Sequence, residues 1–278
     1  MKCSLLVVTT TRLSLVERLF RSLGEQTHRN FEIIFVYEES CAAEAAALVE
    51  TFKTTLDIKS LSVPKCGISR ARNLGLSLLS GEIVSFPDDD CVYTPETLSE
   101  VVAIFCAAHH KVDALLAARA GLDEAIPASS GVKALGAVNR YALFGCSETF
   151  LQFYRSSCVQ RVGSFDEKLG AGTGLPYGCG EDTDYALRAV QAGFTVLRSP
   201  SARVRHPSVD FSDQAMPTKV DTYACGRMYL LRKHSMPLWF RLANVVYPLA
   251  ALAREVPRQG VRTVAYRWRM FSARLVHF

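Results

Sequence analysis

Short apolar runs alternate with helical patterns through the first hundred residues, and this alternation constrains the fold more than any other feature of the chain. Strand candidates are Ser4 to Thr9, Glu32 to Tyr37, Leu56 to Val63 and Glu82 to Phe86. Between them, Leu15, Val16, Leu19, Phe20 and Leu23 form one stripe at helical spacing, and Ile68, Ala71, Leu74, Gly75 and Leu78 form another. Strands separated by helices pair in parallel, because a parallel neighbour needs a crossover connection. The order predicts an α/β fold, a Rossmann-like, mostly parallel sheet flanked by helices. Ligands of such sheets sit at the carboxyl ends of the strands, so the segments Thr9 to Arg12, Tyr37 to Ser40, Lys65 to Ser69 and Asp88 to Asp90 should share one cleft.

Further along, the pattern predicts a helix near Glu96 to Ala107, a strand near Val112 to Ala118, a loop from Gly121 to Gly131 and strand-like runs from Ala142 to Tyr154. The stretch Gly170 to Gly180 holds too many glycines for regular structure and reads as a mobile flap. A helix from Asp182 to Ala192, a strand from Phe194 to Arg198 and another ending at His206 complete the sheet, giving a domain over 1–215. The remainder, 216–278, reads as helices alone, with apolar stripes through Leu238, Leu242, Val245, Leu249, Leu252 and Val256 and through Val261, Val264, Trp268, Phe271 and Leu275. Arginines at 254, 258, 262, 267, 269 and 274 crowd these helices.

The formal charge of +5 is modest but uneven, since Glu255 is the only acidic side chain after Arg227. That points to a local anionic partner, and nothing in the chain asks for nucleic acid. Basic helices bearing Trp and Phe commonly lie in the interface of an anionic membrane; the alternative is that both stripes pack on the domain and the arginines are solvated. The run Met236 to Ala253 falls short of a membrane span because Arg241 and Asn244 interrupt it. Nine scattered cysteines without a CxxC pair suggest a reducing compartment.

Three junctions carry candidate chemistry. Asp88-Asp89-Asp90 follows a strand directly, and adjacent carboxylates repel unless a cation or backbone donors compensate them. On its own the cluster reads equally well as a site for Mg²⁺ or Mn²⁺ or as a solvated acidic turn. Gly180-Glu181-Asp182-Thr183-Asp184 opens a helix, where an ionised carboxylate suits capping and general-base work alike. Gly67 to Gly75 opens another helix, with Arg70 and Arg72 in its first turn, suited to a diphosphate or to pairing with Glu82 or the acidic cluster. His206 is by default a satisfied or solvent-facing histidine.

The order Ser4 to Arg12, Glu25-Gln26-Thr27, Phe31 to Ile34, Gly67 to Gly75, Gly81 to Asp90, Gly163 to Glu167 and Gly180-Glu181-Asp182 resembles the family-2 inverting glycosyltransferases of GT-A fold, from about residue 3 to residue 207. The resemblance implies a divalent cation on Asp88 and Asp90, completed by His206, and Asp182 as general base. It further implies nucleotide-sugar contacts by Thr9, Arg12, Tyr37, Glu38, Arg72, Asp89 and Glu181. One departure stands out: where such enzymes carry Asp-Asp-Gly-Ser after the second strand, this chain has Tyr37-Glu38-Glu39-Ser40. A UDP-sugar is favoured, with the base left open. The expected reaction moves a sugar to a hydroxyl of a saccharide acceptor, carried on a lipid diphosphate, for surface or exopolysaccharide assembly by a cytoplasmic enzyme peripheral on the inner face of the cell membrane. The rival readings are a sugar nucleotidyltransferase, which Thr9-Thr10-Thr11-Arg12 disfavours for want of glycine, and a non-catalytic membrane-peripheral protein of the same fold.

Overall fold

The structure, a computed structural model, describes residues 1–107, 112–125, 135–207, 216–259 and 262–278. Val261, the side chains of Arg254, Arg258 and Arg262, and the second half of the expected loop from Gly121 to Gly131 lie outside the described part. In chain order the regular elements are β1 (Cys3–Thr9), α1 (Leu13–Gly24), β2 (Phe31–Glu38), α2 (Ala42–Phe52), β3 (Ile58–Val63), α3 (Ile68–Gly75), β4 (Ile83–Ser85), β5 (Val92–Tyr93) and α4 (Thr97–Cys106). There follow β6 (Ala114–Ala120), β7 (Gly136–Ala137), β8 (Gln152–Arg155), α5 (Ser156–Val162), α6 (Glu181–Gln191), β9 (Val196–Arg205), α7 (Met216–Lys233), α8 (Leu238–Gln259) and α9 (Arg262–Val276).

The chain divides into two units. The first holds 1–66, 70–165 and 185–208, and the second holds 67–69, 166–184 and 209–278. In the first, the sheet runs β3-β2-β1-β4-β8-β6-β9-β5, with β7 also on β9. Pairing is parallel from β3 to β4 and between β6 and β9, and antiparallel where β8 joins β4 to β6. The buried strands β1 and β2 are near-continuous apolar runs, as helices over a parallel sheet require. Val16, Leu19, Phe20 and Leu23 of α1 are wholly buried, and Phe20 meets Phe35 and Phe52 edge-on, at ring separations of 5.3 and 5.7 Å.

Three expectations differ from the fold. Leu74 is exposed, because α3 seats Gly75 on the sheet, where an added Cβ would lie 2.9 Å from Leu6; Ala71 and Gly75, the small residues, make the close approach. The run from Ala142 to Tyr154 begins as two short 3₁₀ turns and becomes a strand only at Gln152. The two strands expected between Phe194 and His206 are one, β9, which crosses Pro200 unbroken because the register against β6 shifts between Leu116 and Ala118.

One buried charge anchors the sheet. Glu32 is enclosed at the start of β2 and accepts from Lys2 Nζ and Lys59 Nζ, both at 2.8 Å, from Ser4 Oγ at 2.5 Å and from the Ser80 amide at 2.7 Å. Burial alone would raise its pKa; the lysines and hydroxyls outweigh burial and hold it well below the usual carboxylate range. Glu32→Gln is expected to cost about 2–3 kcal/mol, the worth of charged hydrogen bonds at a buried site, measured by urea unfolding. Because the folded pKa is depressed, this contribution is complete above the unfolded value of about 4.3 and fades as pH falls through the folded one. The gap between wild type and variant should therefore narrow below about pH 4. A gap independent of pH would refute the charged role.

Candidate active site

Parallel register brings the carboxyl ends of the first strands together: Thr9 pairs with Tyr37, and Val8 with Asp88 just beyond β4. The three aspartates then diverge, which is how adjacent carboxylates coexist. Asp88 Oδ1 accepts from Arg72 Nη2 at 3.0 Å. Asp89 turns to the first loop, accepting from Thr9 Oγ1 at 2.7 Å and from Arg12 Nε at 3.1 Å. Asp90 Oδ1 meets His206 Nε2 at 3.1 Å. Burial raises the pKa of Asp88 against the charge of Arg72, and pushes Asp89 up to about 6 despite Thr9 and Arg12. Burial works on Asp90 in the same sense, but the hydrogen bond and charge of His206 prevail and hold it below the ordinary carboxylate value. On His206, burial opposes Asp90, and the raised pKa shows that Asp90 wins.

The meeting of Asp90 and His206 is a matter of register. β5 leaves the aspartate turn and runs antiparallel to β9 with Val92 opposite Arg205, so the next position outward sets Cys91 against His206, and Asp90, one residue earlier in the turn, reaches the imidazole with its side chain. The imidazole is stacked on Phe150 at 4.4 Å and 10°, and its Nδ1 lies 2.8 Å from the Pro207 carbonyl. Among the described residues, Asp90, Cys91 and His206 offer ligand atoms within 4.8 Å of one another. Burial and the surrounding aspartates raise the Cys91 thiol well above its ordinary pKa, which keeps it protonated and a poor ligand. A carboxylate oxygen and an imidazole nitrogen remain, a donor set that fits a divalent cation whose other positions phosphate and water would fill. Asp88, engaged with Arg72, stands outside this group.

The residues expected to contact a nucleotide fall into two sets. Arg12 and Glu38 are accessible at the strand ends. Thr9, Tyr37 and Arg72 are buried: Thr9 serves Asp89, Tyr37 lies in the core tilted on Phe35 at 5.2 Å, and Arg72 sits over Phe165 while also donating to Thr149 Oγ1 at 3.1 Å. Sequence reasoning missed Thr149 and Phe150, which back Arg72 and His206. Neither lies in a recognisable motif, and only the antiparallel β8 brings their segment beside β4.

In the second unit, Glu181 and Asp182 open α6, with Asp184 N bonded to the Gly180 carbonyl at 2.8 Å and Asp182 Oδ1 accepting from the Thr183 amide at 2.5 Å. Asp184 is wholly buried and receives Lys233 Nζ at 2.6 Å and His234 Nε2 at 2.8 Å, while Lys233 also reaches Asp166 at 2.6 Å. This ion network fixes the first turn of α6, another feature the sequence did not disclose. In the loop before it, Gly170, Gly172, Gly174 and Gly180 all have positive φ, a conformation that side chains resist. The loop closes on itself through Gly170 N to the Tyr177 carbonyl at 2.9 Å, and Tyr177 stacks on Tyr229 at 4.3 Å.

Residues 4–129 match the sequence pattern described as Glycosyl transferase family 2. Over that stretch the chain is similar to a family 2 glycosyltransferase domain. Curated relatives of that domain include the uncharacterized glycosyltransferase YwdF of Bacillus subtilis (strain 168), 33% identical over 96 residues that cover 34% of this chain and 35% of that protein. An uncharacterized glycosyltransferase of Haemophilus influenzae is 28% identical over 101 residues, 36% of this chain and 33% of its own. The matches thus span about a third of these relatives. Solved structures show the same fold over nearly the whole chain. The mannosyltransferase PcManGT from Pyrobaculum calidifontis, in complex with GDP-Man and Mn²⁺, superimposes with a TM-score of 0.67 at 16% identity, covering 99% of this chain and 85% of that one. S. aureus TarS 1-349 in complex with UDP gives 0.62 at 19%, covering 100% and 93%. The fold is GT-A, a mixed, mostly parallel sheet flanked by helices, with C-terminal helices present.

Two of the residues that carry the resemblance serve as scaffolding. Gln26 is buried and bonds the Thr94 carbonyl at 2.7 Å and the Leu98 amide at 3.1 Å. Asn73 pairs with the Phe165 backbone in both directions, at 3.0 and 2.7 Å, tying the Ala-Arg-Asn helix to the Gly-Ser-Phe-Asp segment.

Proposed function

We propose that the protein transfers a sugar from a nucleoside diphosphate sugar to a saccharide hydroxyl, with inversion at the anomeric carbon. The observation that carries the reading is the divided aspartate turn: Asp90, within the stretch similar to family 2, faces His206 at 3.1 Å beside an accessible Arg12, a pairing that supports a two-donor site. The GT-A neighbours that hold UDP or GDP-Man support the donor class; a UDP-sugar is favoured, and the departure at Tyr37-Glu38-Glu39 leaves the base open.

A divalent cation, Mn²⁺ or Mg²⁺, held by Asp90 and His206 with Asp88 beside them, would supply Lewis-acid stabilisation of the departing diphosphate. The chain's own part is proton transfer and positioning. Asp182, whose role rests on the family resemblance, takes the proton of the acceptor hydroxyl. That oxygen forms its bond to the anomeric carbon while the bond to the diphosphate oxygen breaks, its electron pair leaving with the nucleotide. Arg12 and Glu38 contact the nucleotide, Glu181 assists at the sugar, and Thr9, Arg72 and Asp89 act by holding the turn in shape. The acceptor is a saccharide on a lipid diphosphate, in surface-polysaccharide or exopolysaccharide assembly, with the enzyme peripheral on the inner face of the cell membrane.

Thermal unfolding in the presence of single nucleotide sugars, with and without Mn²⁺, tests the donor class. One donor at 100 times its Kd should stabilise by about 2.7 kcal/mol, only with metal, and a chelator should reverse it. Absence of protection by any nucleoside diphosphate sugar in the presence of metal would refute the proposal.

A further inference from the structure

A helix that packs on a protein ordinarily turns its apolar stripe inward and its polar residues to water. In the second unit, α8 is apolar on both sides: Val245 and Ala251 are buried, yet a second set of apolar side chains faces out. Leu238, Trp239, Leu242, Val246 and Tyr247 are 60, 60, 47, 51 and 55% exposed. The other exposed side chains described between Leu238 and Ala253 are alanines. Two polar residues of this stretch turn toward the protein: Arg241 Nη2 donates to the Phe278 carbonyl at 2.7 Å, and Asn244 is half-buried.

A proline explains why α9 sends a buried arginine to this helix. Pro248 has no N–H, so the carbonyl of Asn244 loses its helical partner. Arg274 of α9, 7% exposed, supplies the missing donor, Nη1 to that carbonyl at 2.6 Å. Burial and the charge of Arg227 lower the pKa of Arg274 to about 9, which leaves it charged at neutral pH. Arg267 pairs with Glu255. On α9, Trp268, Leu275 and Val276 are 60, 56 and 80% exposed, and Arg269, at the same surface, is tied to Asp221. Among the described side chains, Arg241, Arg267, Arg269 and Arg274 are thus engaged within the unit while these apolar residues stand outside. Of the stripe legible in the sequence, Val245, Leu249, Leu252 and Val256 are buried or half-buried, whereas Leu238 and Leu242 are exposed.

An apolar surface of this kind marks a contact with protein or lipid. Charge selects between them. From Arg227 onward the chain has ten Lys and Arg against the single acidic side chain Glu255, so two copies meeting here would repel, whereas an anionic bilayer is complementary. Trp239, Tyr247 and Trp268 are the side chains that favour the headgroup level. We propose that the outer face of α8, with the Trp268 face of α9, lies in the plane of an anionic membrane and inserts its apolar side chains into the acyl boundary. This deepens the membrane reading of the proposed function but does not depend on catalysis, and it makes apolar insertion, not surface charge, the main attraction.

The test is flotation of the full chain with vesicles of one part phosphatidylglycerol to three parts phosphatidylcholine, without donor or acceptor. Wild type should float and remain mostly bound when salt is raised from about 0.1 M to about 0.5 M, which screens charge but not insertion. L242E/V246E places charge where the folded protein meets water, so circular dichroism should be unchanged while partitioning falls by about 10-fold or more. Three outcomes would overturn the proposal: no flotation, flotation abolished by salt and indifferent to L242E/V246E, or a concentration-dependent dimer that L242E/V246E dissolves. Failure of the donor screen with retained flotation would sink the transferase reading and leave this one standing.

Discussion

Asp182→Asn is expected to lower turnover by about 10²- to 10⁴-fold, the usual worth of a positioned general base. The substitution is isosteric, and the amide oxygen of Asn still accepts from the Thr183 amide, the contact that Asp182 Oδ1 makes at 2.5 Å. What is lost is the charge at the start of α6, worth about 0.3–1 kcal/mol against the helix dipole. The ion network of Asp184, Lys233 and His234 continues to hold the first turn. The melting temperature should therefore move little, while kcat collapses and KM for the donor stays near its wild-type value, since Asp182 acts on the acceptor's proton. Steady-state kinetics on the donor identified by thermal protection measures this. Wild-type kcat in a folded variant would remove Asp182 from the mechanism.

The second large effect is expected at Asp90. Asp90→Ala removes the carboxylate that faces His206, and with it one of the two donors suited to a cation. Loss of a direct ligand should exceed the 10- to 100-fold cost of losing an outer partner, so donor protection by Mn²⁺ should vanish at concentrations that saturate wild type. Asp89→Asn serves as the contrast. Asp89 is buried and committed to Thr9 and Arg12, so its loss should appear first as lowered stability, with metal-dependent donor binding retained. Isothermal titration with Mn²⁺ and donor separates the two. Equal loss of metal dependence in both variants would mean that the division of labour within the turn is wrong.

These contrasts show where sequence reading stopped. A strand followed at once by Asp88-Asp89-Asp90 identifies the turn, but spacing cannot tell which carboxylate faces which neighbour. Arg72 was legible as a helix-start arginine, yet its burial beneath Asp88 and over Phe165 depends on packing from β8 and the segment after α5. Tyr37 resembled a ring available to a base because it ends a strand, and the side-chain alternation of β2 instead turns it into the core beside Phe35. Glu32, Gln26 and Asn73 carried the family resemblance without announcing that they are buried scaffolding.

Local periodicity determined the order of strands and helices, and with it which loops meet at the strand ends, because apolar spacing and crossover connections act over a few residues at a time. Tertiary structure alone decided that Asp90 should meet His206, since pairing β5 with β9 brings the aspartate turn beside the end of β9, and that α8 should keep a second apolar face outward. In α8 the Asn244 carbonyl, left without a helical partner by Pro248, is met by an arginine one helix away. Partners so distant in the chain leave no period in the sequence to read.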